Sequence, residues 1–166
     1  MGNPGKAEVD PWIAEQFKLK NDNARRAREG IVMLDRAPLD PLAFTPTEEW
    51  SDKAHNLLKT ICPGPRPYKV EDGKVILLID DVKRLALKMI ETDRSKYTED
   101  DLKEMEDHLK KAYGSDGVEV VDVRGWGRAD VARRVAEIVH LEKYEPVCDL
   151  HARLEKFRDG GFNAVE

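Results

Sequence analysis

Cysteine is nearly absent from this chain. Cys62 and Cys148 are the whole complement among 166 residues, and no CxxC spacing joins them. Two such cysteines read as free thiols of a reducing compartment rather than as a disulfide. Long apolar runs are missing too. Nothing approaches the ~20 residues that span a bilayer, and the opening MGNPGKAEVD has no apolar core of a signal peptide. The expected location is cytoplasmic. Positive charge is not in excess either. The net charge of −5 argues against a nucleic-acid surface, while leaving room for a local basic cleft. His55, His108, His140 and His151 show no ligand spacing, and neither a GxSxG elbow nor a Cys–His signature occurs. Metal chemistry built on histidine is not expected.

What remains is 40% apolar and 37% charged, the balance of a globular chain with heavily charged helix faces. The length suits one domain with its own core. Residues 1–10 read as a loose tail and 11–166 as a single domain. From Pro11, the apolar spacing of Trp12, Ile13 and Phe17 predicts a helix that stops at Gly30. Ile31–Leu34 predicts a strand. Thr45, Pro46 and Glu48 predict a capped helix start, with Trp50, Ala54, Leu57 and Leu58 on its buried face. Asp72-Gly73 predicts a turn between extended pieces. Val75–Ile79 is wholly apolar, as expected of a strand buried on both faces of a parallel sheet. Helices are predicted over Val82–Ile90, over Tyr97–Tyr113 with Thr98 as its cap, over about Ala129–His140 and near Asp149–Phe157. A third strand is predicted over Val118–Val123.

Strands alternating with helices predict an α/β fold, a three-layer sandwich with a parallel sheet. Ligands gather beyond the carboxyl ends of such strands. All three predicted strands end there in charge: Asp35-Arg36, Asp80-Asp81, and Asp122 with Arg124-Gly125.

The order of these pieces resembles the later part of a P-loop nucleoside or nucleotide kinase of the thymidylate and adenylate kinase type. GIVMLDRAPLDPLAF is similar to the strand carrying that group's Asp-Arg signature. KVILLIDDVKRLALKMIETDR resembles the strand and helix leading into the lid, and KYTEDDLKEMEDHLKKAYG the helix returning from it. GVEVVDVRGWGRADVARRVAEIV resembles the last strand, the loop near the base and the closing helix. The likeness covers roughly residues 11–145. It implies ATP and Mg2+ as cofactors and a nucleotide or other small hydroxyl compound as acceptor. One departure is plain. The family's first strand and its glycine-rich phosphate loop, which ends in Gly-Lys-Ser/Thr, have no counterpart. MGNPGKAEV supplies Gly2, Gly5 and Lys6, but Ala7 stands where the magnesium-binding hydroxyl belongs. The expectation is therefore a kinase-like phosphotransferase that is incomplete or split in this chain, its missing strand coming from a partner or a longer chain. The other expectation is a non-catalytic relative that serves as an interaction or regulatory subunit.

The resemblance also assigns roles. Asp35 matches the carboxylate that holds magnesium or takes the acceptor's proton; otherwise it caps a turn. Arg36 matches an arginine on phosphate, where a guanidinium fork fits two oxygens; otherwise it forms a surface ion pair. Arg84, Lys88, Arg94 and Lys96 match the cations that close over the transferred group, or else they are a solvated helix face. Arg124, Gly125 and Trp126 fall at the base-binding loop, Trp126 either stacking on a base or packing under the last helix. Asp40 is a turn residue or faces an acceptor.

Overall fold

A computed structural model describes residues 6–64, 68–91, 97–141 and 147–161. The chain divides into two compact units, one formed by residues 1–72 and 149–166 and the other by residues 73–148.

The first unit is helical. Helix α1 spans Lys6–Arg26, short 3-10 turns occupy Asp40–Phe44 and Thr47–Glu49, and α2 spans Trp50–Ile61. The last helix of the chain, α6 at Leu150–Arg158, belongs here too. Its apolar side meets α2. Trp50 is fully buried, its ring edge-on to Phe157 at 5.2 Å, and its indole N–H donates to the Thr45 carbonyl at 2.8 Å. Leu39, Leu42, Leu57, Ile61 and Leu154 complete this core. The Thr45 capping box is corrected here. The Thr45 hydroxyl donates to the Pro41 carbonyl instead, and 3-10 turns carry the chain into α2. A polar clasp fastens Tyr68–Glu71. Buried Asn21 accepts from the Glu71 N–H and donates to the Lys69 carbonyl, while Arg25 reaches both Lys69 and Glu71.

The strand expected at Ile31–Leu34 is not there. These four residues follow Gly30, at φ 82°, and precede Arg36, at φ 71°, and all four are exposed. Strand geometry persists when a neighbouring strand takes up the backbone hydrogen bonds. Among the described residues of this unit every regular element is helical, so the run has nothing to pair with.

The second unit holds β1 (Val75–Ile79), α3 (Val82–Glu91), α4 (Glu99–Tyr113), β2 (Val118–Asp122) and α5 (Arg128–Leu141). The strands pair in parallel, Val75 opposite Val118 and Ile79 opposite Asp122, and among the described residues the sheet has these two strands. Mixed α/β architecture with a parallel sheet is thus as expected. Ile76, Val121 and Val123 pack with Ile138 and Val131 of α5 on one face. The cap of α4 forms as predicted. Thr98 accepts from the Asp101 N–H, and Asp101 accepts from the Thr98 N–H, which holds the Asp101 carboxyl below its ordinary range. The Asp72-Gly73 turn is corrected, since Gly73 forms an antiparallel bridge with Cys148. That bridge brings backbone so close to Gly117 that a Cβ there would meet the Cys148 nitrogen at 2.1 Å. Neither Cys62 nor Cys148 forms a disulfide.

Candidate functional site

Parallel pairing brings the carboxyl ends of β1 and β2 together, so Asp80, Asp81, Asp122 and Arg124 share one edge. An open cleft of about 610 Å³ lies there. Ile79, Val82 and Val120 are its apolar lining. Helix α4 contributes Glu99, Lys103, Glu106 and Lys110 to the lining. This charged ridge was not singled out in the sequence. Its 4-3-4 spacing, which puts one residue per turn on a common face, is the signal that finds it.

The local bonding at this edge is dense. Asp80 accepts from Arg84 twice, at 3.1 Å from Nε and 2.7 Å from Nη2, and from the Asp81 N–H at 2.8 Å. Asp81 in turn accepts from the Arg84 backbone N–H at 2.9 Å, closing the first turn of α3. Arg84 is therefore turned back onto the strand that precedes its own helix. Lys88 lies one turn further along α3, exposed. Arg94 and Lys96 lie outside the described residues.

At the end of β2, Asp122 accepts from the Arg124 backbone N–H at 3.0 Å and from its guanidinium. The Arg124 side chain, then its backbone N–H, draws the Asp122 carboxyl from 3.8 down to about 2. Arg124 is raised in return, by Asp122 first, with Glu106 and Asp81 adding to the field. The chain then turns sharply. The Trp126 N–H donates to the Val123 carbonyl at 3.0 Å, with Gly125 at φ 78° between them. That left-handed position is one glycine takes at little cost. Trp126 keeps 38% of its surface exposed, so it is not buried under α5.

Asp35 and Arg36 belong to the first unit. Asp35 is exposed, and its backbone carbonyl accepts from the Lys20 ammonium. Arg36 sits over the Phe44 ring at 5.7 Å. Since Ile31–Leu34 is no strand, the expected edge of three strand ends is corrected to two. Asp40 opens a 3-10 turn, in keeping with the turn reading.

The resemblance implies magnesium at Asp35, in the first unit, and ATP at the loop of Arg124, Gly125 and Trp126. Asp80 and Asp122 are each taken up by an arginine. Among the described residues, no three carboxylate, histidine or cysteine side chains converge as a metal site. No step through magnesium or ATP follows from this arrangement. Comparison of the chain with models of known protein families, with curated proteins and with solved structures found no match.

Proposed function

We propose that this chain is an interaction or regulatory module on a kinase-like α/β layout, acting through contact with a protein partner rather than by phosphoryl transfer. The observation that carries this reading is the pairing of charge at the sheet edge, Arg84 with Asp80 and Arg124 with Asp122. Phosphoryl transfer needs cations aimed at the developing charge of the transferred group. Here each guanidinium would first have to leave a carboxylate that it already holds. Apolar residues left in solvent, Ile31–Leu34 above all, suit a surface that meets another protein. The three-layer kinase layout, a missing strand supplied from elsewhere and a cytoplasmic setting are parts of the same proposal. Among the described residues, no helix is long and apolar enough to cross a membrane.

A second reading keeps the chain as part of an ATP- and magnesium-dependent phosphotransferase for a nucleotide or small hydroxyl acceptor. Its support is the meeting of acids and bases at the carboxyl end of a parallel sheet, where ligands of such folds gather. Calorimetric titration with ATP and magnesium separates the two. The module reading expects no binding heat up to roughly 1 mM nucleotide. Saturable micromolar binding that Arg124→Ala abolishes would overturn it in favour of the second.

A further inference from the structure

Val70 is fully buried, and its backbone N–H donates to a side chain rather than to backbone. The acceptor is Nδ1 of His151, at 3.3 Å, in the first turn of α6. A ring nitrogen accepts only while it carries no proton. This bond therefore requires the neutral imidazole, with its proton on Nε2. Nε2 lies 3.8 Å from the Glu155 carboxylate, one turn further along α6. The contact ties the Tyr68–Glu71 segment to a helix 81 residues away in the chain. The same segment is also held by Asn21 and Arg25 of α1, neither of which changes charge near neutral pH.

Charged groups stand on both sides of this contact. On α6, His151, Glu155 and Arg158 recur at helical spacing and share a face. Glu155 lies 3.6 Å from Arg158, and Asp149 caps the helix through the Ala152 N–H. On the facing segment, Lys69 and Glu71 flank Val70. Lys69 is tied to Asp72 at 2.7 Å, and Glu71 to Arg25 of α1 at 2.8 Å. Helix α2 meets the neighbouring face of α6, where Leu150, Leu154 and Phe157 are buried. A second proton on His151 has one place to go, Nδ1, because Nε2 is filled. It comes from solvent, to which 25% of the side chain is open. Two N–H groups then face each other, and the buried Val70 donor is left without its acceptor. The imidazolium keeps Glu155 beside it.

We propose that His151 is a pH-sensitive latch: its neutral imidazole holds the Tyr68–Glu71 segment against α6, and its protonation releases that segment at Val70. The latch does not rest on the reading of the sheet edge, because Val70 and His151 both belong to the first unit.

Amide hydrogen exchange, read by NMR between roughly pH 8 and 5, tests it. Long-range proton–nitrogen spectra of the imidazole first show which ring nitrogen carries the proton and then follow its charge. Nε2 is expected in the neutral form, and a proton on Nδ1 there would overturn the proposal. The protection of the Val70 N–H, corrected for the intrinsic pH dependence of exchange, should fall by at least about tenfold as His151 becomes charged. His151→Asn sets a carbonyl oxygen where Nδ1 stood, an acceptor that does not titrate. Val70 protection should then be independent of pH. His151→Leu removes the acceptor, and Val70 should be weakly protected at every pH. Should the leucine variant fail to fold, as judged by its circular dichroism, the tautomer and the asparagine variant decide by themselves. Val70 protection that ignores the charge of His151, that still falls in His151→Asn or that survives in His151→Leu overturns the latch. The nucleotide titration is a separate measurement, so failure of one proposal does not imply failure of the other.

Discussion

Arg124 folds back on Asp122 across a single intervening residue, its guanidinium and its own backbone N–H donating to the same carboxylate. The pair stands where the chain leaves β2, and the turn at Gly125 follows directly. A charged couple at a strand end thus satisfies itself. It shapes the exit of the chain before it does anything to a ligand.

That couple sets a pH signature. The Asp122 carboxyl sits at about 2, below its ordinary 3.8. An acid depressed in the folded state contributes stability above its unfolded value and loses it as pH falls through the folded one. The contribution is therefore complete above 3.8 and fades toward 2. Carbon-detected NMR titration of the aspartate carboxyls should find Asp122 near the lower value. Arg124→Ala should bring it back toward the ordinary one, and an Asp122 value unmoved by that change would show the pair to be absent in solution.

Gly117 is held by space as well as by backbone conformation. It adopts φ 72°, and a Cβ would meet Val147 and Cys148 backbone atoms at 2.1–2.6 Å. Backbone cannot yield as a flexible side chain does. Gly117→Ala should destabilise the fold by roughly 2–4 kcal/mol in urea unfolding. Gly30 has a similar φ of 82° but open space around it. There the same change should cost only about 1 kcal/mol. Equal losses at the two sites would contradict the close passage at Gly117.

Trp50 joins burial to a hydrogen bond. Its ring is fully buried against Phe157, and its N–H donates to Thr45. Trp50→Phe keeps most of the ring but leaves the Thr45 carbonyl without this donor, a loss of about 1–3 kcal/mol. Trp50→Ala should cost about 3–5 kcal/mol through the cavity that it opens. Fluorescence gives a check without unfolding. Trp12 and Trp126 are 63% and 38% exposed, so quenching by acrylamide should spare mainly the Trp50 emission.

Helices and the two parallel strands were legible because their signals are local and repeated. The Thr98–Asp101 cap and the apolar β1 are examples. Ile31–Leu34 misleads for a physical reason. Four apolar residues specify a wish to be buried but no partner, and strand formation depends on a partner that short-range pattern does not contain. Arg84 was legible as a cation of the helix after β1 and Arg124 as a charge at a strand end. Their engagement by Asp80 and Asp122 depends on how the chain turns after each strand, which spacing alone does not express. Arg25 gives no signal of its role in the sequence, because its partners, Lys69 and Glu71, lie far along the chain.

The central claim is that the cations at the sheet edge are held by the chain's own carboxylates and not kept for a nucleotide. The most direct test follows the Arg124 Nε–H and Trp126 indole N–H resonances by NMR while ATP and magnesium are added. The account predicts that both stay in place through roughly 1 mM nucleotide, with Asp122 still titrating near 2. Saturable movement of both signals, with the Asp122 carboxyl released from Arg124, would contradict it.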